Sequence, residues 1–348
     1  MLSRRKFLKG LIGTGFVLTS SGLILGAAAD ASKQDALFRI CVDRKHGFID
    51  KTGKVIVPPQ YEDALGFYEG LGHVKIGDRW GYIDTSGNFA IKPQFINYGV
   101  FSEGLAAAMI ETNKWGYINK NGQWVIKPQF DSACDFSEGF ACVLLNNKWI
   151  FINRSGEIAI NKEFQHCSWF SEGLAAIDIG GKYGYIDKSG LLVIPPLYRT
   201  AHNFKEGLAS VGHSERPNTF IDRNRRVVIN SRRFQYTSSF SGGLAAVKIN
   251  GKWGFINKTG QIVIEPEFFE MGLSYFKLEA FSSGLAPVKD ENKYGFINVN
   301  GNFVIEPQYD AAWCFRNGLA KVLKYDDKDD LAMGYIDRSG KYIWEPTA

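Results

Sequence analysis

The chain has 348 residues, 45% hydrophobic and 14% aromatic, with 41 Lys and Arg against 36 Asp and Glu for a formal charge of +5. Four of those cations, Arg4, Arg5, Lys6 and Lys9, open the chain, and the formal +5 less these four leaves about +1. So small a charge over the rest of the chain removes the usual support for nucleic-acid binding.

Ser3-Arg4-Arg5-Lys6-Phe7-Leu8-Lys9 is followed by an apolar, glycine-containing run from Gly10 to Leu25, then by Ala27-Ala28-Ala29. This order predicts a twin-arginine signal peptide over 1–29, cut before Asp30. Residues 30–35 read as a linker and 36–348 as the mature array. A retained anchor is the competing reading, but the run is short for a membrane span, so no stable span is expected after cleavage. The expected location is periplasmic or extracellular. Cys41, Cys134, Cys142, Cys167 and Cys314 form no Cys-x-x-Cys pair and have apolar or aromatic neighbours. They read as small buried side chains, neither a disulfide framework nor a metal site.

From there a single pattern recurs. Lys114-Trp115-Gly116-Tyr117-Ile118-Asn119-Lys120-Asn121-Gly122 has counterparts marked by Phe48, Tyr82, Phe151, Tyr185, Phe220, Phe255, Phe296 and Tyr335, mostly 34 or 35 residues apart. A period of this size identifies a repeat array of about nine units. Each unit holds three short apolar runs, such as Leu244 to Ile249, Trp253 to Ile256 and Ile262 to Ile264. Asp or Asn stands two residues after every marker aromatic, and a glycine stands three further on except at Arg225. Asx followed by glycine predicts a tight hairpin. A proline then precedes an aromatic by two, as in Pro128 and Phe130, where pairing is expected to end or the strand to sit on an edge. Phe101-Ser102-Glu103-Gly104-Leu105 and its copies lead into the next unit. No sustained helical period appears, so the chain is all-β.

Gly251-Lys252-Trp253-Gly254-Phe255-Ile256-Asn257-Lys258-Thr259-Gly260 and Phe170-Ser171-Glu172-Gly173-Leu174-Ala175 resemble the WG-repeat, or KWG-repeat, proteins of bacteria. The likeness runs from about Ala36 to Pro346 and implies a binding or scaffold module without assigned chemistry.

Three short strands leave both sheet faces uncovered, so the units must stack. An open, twisted, solenoid-like stack of three-stranded β-meanders is favoured over a closed β-propeller, whose blades ordinarily take four strands and more residues. The last unit stops after its third strand while the first has its own first strand, which also points to open ends.

Function is sought where the repeat fails. Unit six gathers Arg216, Arg223, Arg225, Arg226, Arg232 and Arg233, an expected patch for an acidic protein or an anionic envelope polymer. Trp80, Trp115, Trp149, Tyr183, Trp253 and Tyr294 form a stripe that either belongs to the core or stacks on a ligand. Unit seven inserts the apolar Met271-Gly272-Leu273-Ser274-Tyr275-Phe276, and unit eight carries Asp326-Asp327-Lys328-Asp329-Asp330 on a hairpin without the spacing of a calcium loop. A polar position at the end of the third run drifts from Lys92 and Lys127 to Glu265, Glu306 and Glu345.

His46, His73, His166, His202 and His213 fall at unrelated phases of the repeat, and no catalytic, metal or cofactor motif occurs. Glu69, Glu103, Glu138, Glu172 and Glu206 recur too often to be one catalytic acid and read as turn elements. The expectation is a non-catalytic exported scaffold binding a protein or a cell-envelope glycan. A structural spacer and a hydrolase of envelope polymers are the alternatives.

Overall fold

The computed structural model describes residues 37–111, 113–213, 219–230, 232–272, 281–325 and 331–347. The expected signal peptide (1–29), the linker (30–35), Arg216, the stretch from Leu273 to Phe276 and the tip from Asp326 to Asp330 lie outside them.

The described residues form nine antiparallel sheets, eight of four strands and the first of three. Eight of these nine units therefore have one strand more than their sequence suggests. In blade 3 the strands are Asn97–Tyr98, Leu105–Met109, Trp115–Asn119 and Trp124–Phe130, hydrogen-bonded in that order. The extra strand is the two-residue Asn97–Tyr98, too short to show a period. It lets four strands fit the 34–35-residue unit.

Burial falls from the inner to the outer strand. Four of the five residues of Leu105–Met109 are buried, because neighbouring blades cover both faces. Trp124–Phe130 alternates: Ile126 and Phe130 are buried while Val125, Lys127 and Gln129 are exposed. The Asx turn joins the last two strands. Asn119 Oδ1 accepts the amides of Asn121 and Gln123 at 3.0 Å each, and Gly122 donates to the Asn119 carbonyl at 2.9 Å.

Of the two places expected for the proline, the sheet edge is the one found. Pro128 lies inside the outer strand, on an edge that needs no further donor, and the pairing slips between Trp115↔Phe130 and Tyr117↔Ile126. This bulge explains the glycine of the Trp-Gly pair. A Cβ on Gly116 would stand 2.5 Å from the Ile126 carbonyl oxygen and 2.7 Å from Pro128 N. Seven blades pair such a glycine with a proline twelve residues on, from Gly47 with Pro59 to Gly334 with Pro346. Blades 4 and 6 lose both, with Ile150 and Lys162 in one and Thr219 and Ser231 in the other. The two residues change together because one makes room for the other.

Nine apolar cores lie between consecutive blades, one per junction, in place of one continuous core. Leu105, Tyr117 and Phe130 of blade 3 meet Phe136, Val143 and Ile152 of blade 4. In eight blades the marker ring meets the Phe that opens the next blade's turn: Tyr117 and Phe136 at 4.9 Å between centroids, Phe151 and Phe170 at 5.0 Å, Phe296 and Phe315 at 5.0 Å. Both aromatics recur because each junction needs one from either side.

The ninth junction corrects the expected open stack. Phe38, Ile40 and Ile49 of blade 1 form a core with Leu319 and Tyr335 of blade 9. Phe38 packs on Tyr335 at 5.4 Å, and the Tyr335 hydroxyl donates to the Arg39 carbonyl at 2.9 Å. Gly53 abuts the Ile343 backbone carbonyl of blade 9, and the corresponding Gly122 abuts the Ile91 side chain of the blade before it. The molecule is a closed nine-bladed β-propeller. Blade 9 does end after its own outer strand, as the sequence implied. Closure here uses face-to-face packing of two blades, which leaves no strand-sharing trace in the sequence.

One cysteine expectation is also corrected. Cys142 of blade 4 and Cys167 of blade 5 form a disulfide. The partners are 25 residues apart in sequence and become neighbours only once blades stack.

Candidate functional site

The repeated Glu proves to be more than a turn residue. It sits at φ between 49° and 54°, a left-handed conformation that disfavours side chains. Across five consecutive junctions its carboxylate accepts the glycine amide of the next blade's turn: Gly104 to Glu69 at 3.0 Å, Gly139 to Glu103 at 2.9 Å, Gly173 to Glu138 at 2.9 Å, Gly207 to Glu172 at 3.0 Å and Gly243 to Glu206 at 3.1 Å. A lysine from the next blade's Asx turn joins three of them, Lys120, Lys188 and Lys258, each at 3.1 Å. Where a serine precedes the glutamate, at Ser102, Ser137 and Ser171, it bonds across the same junction, as Ser102 Oγ does to the Phe136 carbonyl at 2.7 Å. Phe-Ser-Glu-Gly is thus a clamp between blades.

Partial burial works to raise the Glu206 pKa, but Lys258 and the amides of Gly243 and Gly242 outweigh it and hold the carboxyl below its ordinary value. A depressed carboxyl contributes stability that is complete above its unfolded pKa, about 4.3, and lost as pH falls through the folded value. Glu206→Gln is therefore expected to cost about 1 kcal/mol near neutrality. The gap in melting temperature from the parent protein should narrow as pH falls below the ordinary carboxylate range and close once it has passed through the lowered folded value. Parallel melts across that range check it, and a gap independent of pH would contradict the clamp.

The aromatic stripe lies at the hairpin end of the middle strands. Trp80, Trp115, Trp149, Tyr183 and Trp253 are half-buried and Tyr294 is buried. All six pack on the core of their junction. Trp80 lies 4.2 Å from the Tyr98 ring, and Lys248 stands 5.6 Å over Trp253. Most of each ring is committed to the fold.

The arginines are brought to one blade edge but not to one spot. Arg223, Arg225 and Arg226 occupy the Asx turn before the outer strand Val227–Asn230, and Arg232 and Arg233 follow it. All five are exposed. Arg225 keeps the turn with φ of 62°, since the Asp222 carboxylate accepts the amides of Asn224 and Arg226 at 2.9 and 2.8 Å. Arg223 reaches back over Gly173 of blade 5, within 3.2 Å of where a Cβ would stand. What lies alongside is set by the blade edges. On the outer edge of blade 5, Leu191, Leu192, Val193 and Leu197 are exposed, as are Val227 and Val228 between the arginine groups.

His46, His73 and His166 stand on blades 1, 2 and 5, and His202 and His213 on blade 6. His73 is fully buried, with Nε2 at 2.9 Å from the Gly99 carbonyl, and burial pushes it down to about 4. Two other buried charges sit on inner segments. Asp135 has an oxygen with no partner and is held far above the usual carboxylate range by burial. Lys321, 3.6 Å over the Trp313 ring, is pushed by burial down to about 7. Lys92, Lys127, Glu265, Glu306 and Glu345 are exposed on outer strands, one per blade, within the strands instead of beyond them.

The family follows from comparison with known proteins. A pattern described as WG containing repeat matches residues 47–80, 80–114, 115–149, 151–183, 183–212, 219–253, 253–294 and 294–328. The chain belongs to the WG-repeat family. Each WG repeat begins near the middle strand of one blade and ends near the first hairpin of the next, so eight repeats stitch nine blades together. No curated protein matches the chain in sequence. Among solved structures, a eukaryotic initiation factor is similar at 12% identity over 90% of this chain and 96% of that one, with a TM-score of 0.60. BamB from Moraxella catarrhalis is similar at 10% identity over 86% and 99%, with a TM-score of 0.51. At these identities the likeness is one of fold.

Proposed function

We propose that this WG-repeat propeller is an exported, non-catalytic scaffold that docks an acidic protein on the outer edges of blades 5 and 6. The observation that carries this is the pairing of exposed arginines with exposed aliphatic side chains where the repeat signature is most eroded. Elsewhere the repeated polar residues are spent on joining blades, and the aromatic stripe is largely spent on their cores. That disposition favours a protein over a glycan that would need the stripe. A surface with an apolar centre and a cationic rim suits a partner with apolar side chains and carboxylates. The Cys142–Cys167 disulfide fits an oxidising compartment, in keeping with an export signal at 1–29.

Binding to envelope extract tests the reading. Immobilised protein should retain a partner that survives glycan digestion and elutes with salt. Reversing Arg225, Arg226, Arg232 and Arg233 to glutamate should lower retention at least tenfold, as loss of several charge pairs implies. Unchanged retention by the reversed protein would overturn it, and loss on glycan digestion would move the ligand to the polysaccharide class.

A further inference from the structure

The clamp is incomplete at the junction of blades 8 and 9, and we infer that Gly318 N–H and Arg338 there form a binding site for a carboxylate supplied from outside the fold. In five other junctions a turn glycine amide faces a glutamate, and in three of them an Asx-turn lysine of the following blade pairs with the same carboxylate, while Arg154 and Arg223 hold that position in the other two. Blade 8 has Ser283 in place of that glutamate. Its backbone has not drifted: Ser283 keeps φ of 54°, the value at Glu103, Glu138 and Glu172. The preceding Ser282 still bonds to blade 9, with Oγ 2.6 Å from the Phe315 carbonyl. Arg338 also keeps its station. Its Nη2 lies 3.7 Å from where a Cβ on Gly284 would stand, against 3.5 Å for Arg154 over Gly104 and 3.2 Å for Arg223 over Gly173.

What is missing is the anion alone. Among the described residues the Gly318 amide donates to no acceptor, and Ser283, Gly318 and Arg338 are all exposed. An amide and a guanidinium held at the two stations that flank a glutamate in other junctions select a carboxylate by charge and by its paired oxygens. Drift alone fits poorly, because the junction of blades 7 and 8 shows what full loss looks like. There the glutamate position is Gly242 and the cation position is Val299, so both members went together. Blade 8 lost the acid and kept the base.

The carboxylate belongs either to a small free acid or to an acidic side chain of a docked protein. Titrating the full chain with sodium acetate against matched sodium chloride, while following the Gly318 amide by NMR, detects the site. The shift should saturate with acetate and stay small with chloride. Ser283→Glu should place the amide at its saturated position without ligand and raise the melting temperature by a few degrees. Arg338→Gln should weaken acetate binding at least fivefold. A Glu-rich peptide binding more tightly than acetate, with its Gln counterpart inert, assigns a protein source; equal binding assigns a small acid. A Gly318 shift that follows chloride equally, or that Ser283→Glu and Arg338→Gln both leave unchanged, would overturn the site.

Discussion

Replacing Gly116 by alanine is expected to destabilise blade 3 by about 3 kcal/mol, the range of a forced backbone movement in a packed element. The new methyl would meet two backbone atoms, the Ile126 oxygen at 2.5 Å and Pro128 N at 2.7 Å, and neither can rotate away. Gly77→Ala is the control. That glycine has φ of 57° and open space around its Cβ position, so only the left-handed penalty of about 1 kcal/mol applies. Melting curves of the two variants, supported by hydrogen exchange in Trp115–Asn119, should rank them in that order. Equal losses would mean that the Trp-Gly glycine serves flexibility instead of close approach.

The second large effect belongs to the closing junction. Tyr335→Ala removes a ring that is 7% exposed, its contact with Phe38 and its bond to the Arg39 carbonyl. Truncation of a buried aromatic costs about 3–5 kcal/mol. Tyr117→Ala, at an interior junction, deletes an equivalent ring and the bond to the Cys134 carbonyl. The two losses should be similar in size and different in kind. An interior break leaves the ring held from its other side, whereas Tyr335→Ala frees the edge of blade 1. Faster amide exchange confined to Phe38–Val42 and Leu331–Ile336 is the expected signature. Exchange spread evenly round the ring would contradict it.

These effects show which parts of the molecule can be read from its letters. The repeat, the all-β class and the Asx-glycine hairpin are local, and residues such as Asn119 and Gly122 declare them outright. Closure is not local. It depends on the small rotation from each blade to the next, which side-chain volume at nine junctions sets together, and no single residue near Phe38 or Tyr335 records it. The two-residue strand Asn97–Tyr98 is too short for a pattern, and the Cys142–Cys167 bridge required the stacking register. The clamp was half visible. Glu69 to Glu206 read correctly as a turn element, but their partners lie one blade on. A signal was present in the joint loss of acid and base at Gly242 and Val299. The arginines of unit six were found by count, yet their split to the two ends of Val227–Asn230 and their aliphatic neighbours depended on the blade edge.

A distance across the seam tests the closed ring most directly. Lys54 and Lys341 occupy the same exposed position after the Asx turn in blades 1 and 9, as Asn88 and Gln123 do in the adjacent blades 2 and 3. Spin labels at Lys54 and Lys341 should give the same narrow distance as labels at Asn88 and Gln123. A broad distribution several blades longer would mean an unclosed stack, and the nine-junction description would fail.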